Sequence, residues 1–84
     1  MWYVYILRCG DDTLYTGITT DLDRRVHEHN NSPKAAKYTR IRRPLELIYF
    51  EPCEDKSRAS KREHEIKKLS RVEKLFLAGS TINL

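Results

Sequence analysis

Five side chains in this 84-residue chain have types and spacings suited to phosphodiester chemistry. Tyr5 closes the triplet Tyr3-Val4-Tyr5. Tyr15 opens a second triplet, Tyr15-Thr16-Gly17. Arg25 follows ten residues after Tyr15, with His29 four residues beyond it. Glu63 is a carboxylate in a strongly basic stretch later in the chain. Hydrolysis of a phosphodiester needs an activated water, neutralisation of developing charge and help for the leaving oxygen. Phenol, guanidinium, imidazole and carboxylate are the parts of a metal-assisted site that does this. Each residue also has a plainer use. Hairpin tyrosines usually pack, Asp21 is a ready i, i+4 partner for Arg25, and Glu63 among Lys61, Arg62 and Lys67 could make an intrahelical ion pair. His27 and His64 read as inert surface residues.

These side chains meet only if the elements carrying them are placed correctly. Trp2 to Leu7 is aromatic and β-branched, which favours a strand, and Thr13 to Ile18 reads as its return. Gly10-Asp11-Asp12 is turn chemistry between them. A three-residue loop there pairs Leu7 with Tyr15 and Tyr5 with Gly17, and puts both phenols on one face. A two-residue loop would put them on opposite faces. Gly17, having no side chain, leaves space opposite Tyr5.

Thr20 or Asp21 can cap a helix running to about Asn30, with Leu22 and Val26 on its buried side. Arg25 and His29 share a second i, i+4 stripe. Asn30-Asn31-Ser32-Pro33 breaks the helix, and a short helix over Lys34 to Tyr38 follows. Leu45 to Phe50, bracketed by Pro44 and Pro52, is a third strand, apolar enough on both faces for a central position. Asp55 to Leu69 is a helix resting on Ala59, Ile66 and Leu69. Ser70-x-x-Glu73 is a capping box that opens a last helix, with Val72, Leu75 and Phe76 as its buried stripe and Gly79 as its end. The layout is α/β: a three-stranded antiparallel sheet flanked by helices in the order β-β-α-α-β-α-α. It makes one domain over residues 1–84, with a core of about 2–78 and a tail of 79–84.

Lys and Arg outnumber Asp and Glu by 16 to 12, giving a net charge of +4. The excess is concentrated in Lys34, Lys37, Arg40, Arg42 and Arg43, a run of ten residues with no acid. A polyanionic partner is the natural reading, with these five tracking a phosphate backbone. Tyr38, interleaved among them, either stacks on a base or packs on the core. Nothing resembles a base-reading helix, so structure or charge rather than sequence would be recognised. Cys9 and Cys53 make no disulfide framework and no zinc spacing, and are expected reduced and partly buried. The stretch Trp2 to Leu7 is too short and lacks the basic leader of a signal peptide, and no apolar run reaches membrane-spanning length. The expectation is a cytoplasmic protein, monomeric, with a protein partner possible for targeting.

The ordered set Tyr5, Tyr15, Gly17, Arg25, His29, Glu63 resembles the GIY-YIG nuclease family, and the resemblance runs from Trp2 to about Leu77. It is nearest to small stand-alone bacterial members of the UPF0213 type. The resemblance implies an α/β sandwich and a DNA endonuclease of repair, recombination or turnover. It assigns general-base and orienting roles to Tyr5 and Tyr15, without saying which does which. It makes Arg25 the phosphate clamp, His29 a proton relay or orienting group, and Glu63 the ligand of one Mg²⁺ or Mn²⁺. The first triplet lacks the glycine of the family name. Ile18 stands where some repair members carry lysine. Asn83 is not given the role of the family's late asparagine. These departures motivate an alternative: a catalytically weak or inactive nucleic-acid-binding module of the same fold. A third reading is an interaction domain using Val72, Leu75 and Phe76.

Overall fold

The first hairpin is built as its side chains demand. In a computed structural model, which describes the backbone of residues 1–82 and the side chains of residues 1–79, β1 (Trp2–Arg8) and β2 (Leu14–Thr19) run antiparallel. Their register pairs Tyr5 with Gly17 and Leu7 with Tyr15. The three-residue loop is closed by a hydrogen bond from the Cys9 N–H to the Thr13 carbonyl, 2.8 Å. Its last residue, Asp12, takes the left-handed conformation, with φ 69°. Aspartate tolerates that region better than most residues.

The chain continues through α1 (Leu22–Asn31), α2 (Lys37–Arg40), β3 (Glu46–Cys53), α3 (Lys56–Lys67) and α4 (Arg71–Ile82). This is the β-β-α-α-β-α-α order. Asp21 rather than Thr20 caps α1, its carboxylate accepting from the Arg24 N–H at 3.1 Å. Asp55 caps α3 in the same way. The capping box of α4 is formed in both directions, between the Ser70 N–H and Glu73 and between the Glu73 N–H and Ser70.

The sheet order is β2-β1-β3, all antiparallel. The expected central position of the third strand is therefore wrong: β3 is an edge and β1 is central. Both strands are apolar on both faces, and that property alone does not decide which one is sandwiched. Tyr5 and Leu7, with Cys9 and Leu45, face Leu22 and Val26 of α1. Val4, Ile6 and Tyr49 face Ala59 and Ile66 of α3 and Leu77 and Ala78 of α4. Burying a side chain such as Ile6 or Ile66 contributes roughly 1.5–3 kcal/mol, so each face of the sheet is firmly covered. Asn30 ties the end of α1 to the start of β3 by exchanging hydrogen bonds with the Leu45 backbone, at 2.7 and 3.1 Å.

Three further expectations are corrected. The short helix after α1 begins at Lys37, not Lys34. Among the described residues of α4 the buried one is Ala78, while Val72, Leu75 and Phe76, the expected buried stripe, are 75%, 36% and 79% exposed. Helical periodicity shows that Val72 and Phe76 share a face, but not which face meets the sheet. Nor does Gly79 end α4, which runs on to Ile82; no glycine here takes a positive φ, as a left-handed cap would. The expected tail of 79–84 is helical as far as Ile82, and its last two residues lie outside the described residues.

Candidate active site

Tyr5 sits mid-strand in β1 with its phenol turned toward α1, and it is 1% exposed. Its hydroxyl lies 2.8 Å from Nε2 of His29, which the helical phase of α1 aims inward. Nδ1 of His29 lies 2.7 Å from the hydroxyl of Thr39 on α2. Thr39 donates its own proton to the Ala36 carbonyl at 3.0 Å, so it accepts from His29. Nδ1 therefore carries the imidazole proton, and Nε2 is the acceptor for the Tyr5 O–H. The result is a directed chain, Tyr5 to His29 to Thr39 to Ala36, with the His29 and Thr39 side chains fully buried and Tyr5 at its outer end.

Tyr15 joins from β2. Its ring lies 6.5 Å from that of Tyr5 and 5.3 Å from the imidazole. Gly17 leaves the room that Tyr5 needs: a β-carbon there would stand 2.5 Å from the Tyr5 oxygen and 3.1 Å from the Tyr15 ring. Arg25, one turn before His29, donates to Glu28 at 3.0 Å and to the Lys34 carbonyl at 3.1 Å. Its acid partner is thus Glu28, and Asp21 is occupied as the cap. Glu63 arrives from α3 and is paired with Lys67 at 3.3 Å.

Tyr5, Tyr15, Arg25 and His29 lie close enough to bias one another's protons. Burial, then the neighbouring Tyr15 and Glu63, push Tyr5 up to about 12 against the pull of Arg25. Burial and the charge of Arg25 hold His29 down at about 4. Burial disfavours the charge on Arg25, but Glu28 and Tyr5 outweigh it and raise its pKa. At neutral pH the proton therefore rests on Tyr5, between a neutral imidazole and a guanidinium.

Of the six expected residues, Tyr5, Tyr15, Gly17 and His29 meet directly and Arg25 stands beside Tyr5, whereas Glu63, paired with Lys67 on α3, is linked to them only by the field it exerts on Tyr5. The basic run behaves differently. Lys34, Lys37 and Arg40 are exposed. Arg42 lies 3.8 Å over the Tyr38 ring and pairs with Asp11 at 3.0 Å. Arg43 donates to the carbonyls of His29 and Ser32 at 2.8 and 2.7 Å. Arg42 and Arg43 are therefore fold-holding residues first. Tyr38 stacks on Tyr15 at 6.1 Å, which makes it part of the site wall. Thr39 was not anticipated; a lone threonine in a basic run carries no sequence signal for contact with a histidine ten residues away.

Among the described residues no three His, Cys, Asp or Glu form a metal-binding cluster. The donor set fits only a cation content with one carboxylate. Mg²⁺ is such a cation, because it keeps several waters and takes other ligands from substrate phosphates. Cys9 and Cys53 are free thiols, the first buried. Among the described residues no helix is long and apolar enough to cross a membrane.

Comparisons with known proteins bear on the family and the fold. The GIY-YIG catalytic domain matches residues 1–75. A UPF0213 protein of Desulfotalea psychrophila is 60% identical over 95% of this chain and 73% of its own length. One from Haloquadratum walsbyi is 53% identical over 96% of this chain and 92% of its own length. The solution NMR structure of a UPF0213 protein from Bacillus halodurans superposes with a TM-score of 0.58, at 48% identity over 94% of this chain and 84% of that one. An NMR structure of an E. faecalis protein gives a TM-score of 0.60, at 38% identity over 95% of this chain and 85% of that one.

Proposed function

This chain belongs to the GIY-YIG family, within its UPF0213 group, and on that premise we propose that it is a metal-dependent endonuclease hydrolysing DNA phosphodiester bonds. The observation that carries the reading is the hydrogen bond from Tyr5 to His29 with Arg25, Tyr15 and Glu63 around it. Arg25 clamps the scissile phosphate with the guanidinium edge not used by Glu28 and Lys34. Tyr5 takes the proton of the attacking water as its own proton passes to Nε2 of His29. An anionic phosphate beside Arg25 offsets the positive charge that keeps His29 neutral, which favours this transfer. Tyr15 orients the phosphate or water from the opposite strand. Glu63 would hold one Mg²⁺ or Mn²⁺, which supplies charge neutralisation and a lowered pKa for oxygen donors when bound. DNA repair, recombination or turnover in the cytoplasm is the setting this activity suits.

A second reading, a nucleic-acid-binding module with little catalysis, is favoured by one observation. Lys67 already neutralises the only carboxylate offered for a metal. One experiment separates the two: labelled single-stranded, duplex and branched DNAs incubated with Mg²⁺ and Mn²⁺ and either wild type or Glu63→Ala. Cutting that disappears in the variant supports the nuclease. Salt-dependent binding by both proteins with no cutting by either supports the binding module.

A further inference from the structure

We propose that the cavity at the free edge of β2 binds a second backbone phosphate of the DNA strand, next to the one cut, through Lys67, Lys74 and Thr16. This rests on the nuclease reading and adds a substrate subsite to it. The cavity has a volume of about 240 Å³ and is walled by Leu14, Tyr15, Thr16, Tyr38, Lys67 and Lys74. No acid lines it. Tyr15 is common to this cavity and to the catalytic cluster, so an occupant of one adjoins the other.

Three independent features point to an anion. First, β2 is an edge strand. With Cys9 bonded to Thr13, the antiparallel alternation points the Leu14 and Thr16 N–H groups away from β1, toward the open side. Second, the Thr16 hydroxyl is buried, with the residue 3% exposed, and has no hydrogen-bond partner among the described residues. Native proteins rarely leave such a group unpaired, and a phosphate oxygen would satisfy it. Third, Lys74 makes no ion pair with a described residue, and Lys67 is shared, standing 3.3 Å from Glu63 while lining the cavity. A phosphate that draws Lys67 toward the cavity frees the Glu63 carboxylate for a cation, so substrate binding prepares the metal ligand. A second cavity of about 230 Å³, lined by Thr13, Leu14, Arg71 and Lys74, adjoins it along the same edge, where Arg71 is paired with Asp12 at 3.1 Å and Lys74 is shared by both cavities.

The test uses the full chain and a fluorescein-labelled 12-nucleotide oligothymidylate in EDTA, with anisotropy read across a salt series. Lys74→Gln is expected to weaken binding at least about threefold and to lower the salt slope by about 0.7, one phosphate contact on a single strand. Lys61→Gln, an equal charge change at an exposed α3 position, is expected to leave both nearly unchanged. Thr16→Val is expected to weaken binding while raising Tm, because it removes an unpaired buried hydroxyl. Equal losses for Lys74→Gln and Lys61→Gln, or unchanged affinity in Thr16→Val, overturn the subsite and leave the nuclease reading to its own cleavage assay. Absence of any salt-dependent binding by wild type likewise overturns the subsite and leaves the nuclease reading to the cleavage assay.

Discussion

Gly17 stands directly across the first hairpin from Tyr5, and a β-carbon built on it would come within 2.5 Å of the Tyr5 hydroxyl oxygen. The nearest obstacle is the end of a phenol that already holds a hydrogen bond to His29, so it has nowhere to go without breaking that bond. The glycine is required for space; its φ is not in the left-handed region.

Gly17→Ala should therefore destabilise the fold by about 1–3 kcal/mol through overpacking and uncouple Tyr5 from His29. Thermal melting measures the first effect, and the tyrosine hydroxyl or imidazole resonances in NMR report the second. A variant with wild-type Tm and unchanged resonances would mean that the hairpin opens more easily than its packing implies.

Acid should weaken the protein through His29. Its folded pKa of about 4 lies below the ordinary 6.5 of an unfolded histidine, so the folded state binds fewer protons in between. The stability from this group is fully present above about pH 6.5 and is lost as pH falls through about 4, by up to about 3 kcal/mol. Melting temperatures from pH 7 to pH 4 should fall more steeply for wild type than for His29→Gln. Parallel curves would contradict the buried neutral imidazole.

Thr39→Val should cost about 1–3 kcal/mol, because it strands a buried N–H of His29. It also removes the acceptor that selects the Nδ1–H tautomer, so ¹⁵N shifts of the imidazole should move toward the other tautomer. Thr39→Ser should restore both stability and tautomer. If Thr39→Val keeps the wild-type tautomer, Thr39 is not the group that sets it.

Within the basic run, Arg43→Ala and Lys37→Ala should behave oppositely. Arg43 bridges two carbonyls near the end of α1, so its loss should lower stability by about 1–3 kcal/mol. Lys37 is exposed and touches no carboxylate among the described residues, so its loss should reduce DNA affinity and leave Tm within about a degree. The pair is checked by melting and by anisotropy on the same DNA. Equal loss of affinity with unchanged Tm in both would return Arg43 to the phosphate-binding set.

Much of the site was legible because it depends on short-range rules. Loop length set the hairpin register and placed Tyr5 and Tyr15 on one face. Helical spacing put Arg25 and His29 on one stripe. Less was legible about Arg42 and Arg43. Nothing local distinguishes an arginine reaching for phosphate from one bonded to carbonyls on another element. The same limit hid Thr39, whose partner lies on a different helix.

By itself the sequence determined the elements, their order, the capping box of α4 and the chemical parts of the site. Each follows from contacts within a few residues or from a two- or 3.6-residue period. Only the tertiary structure decided that β1 and not β3 is central, that α4 buries Ala78 and exposes Val72 and Phe76, and that Thr39 closes the proton chain behind His29. Those outcomes depend on which surfaces exclude water together, and that is a property of the assembled layers rather than of any one segment.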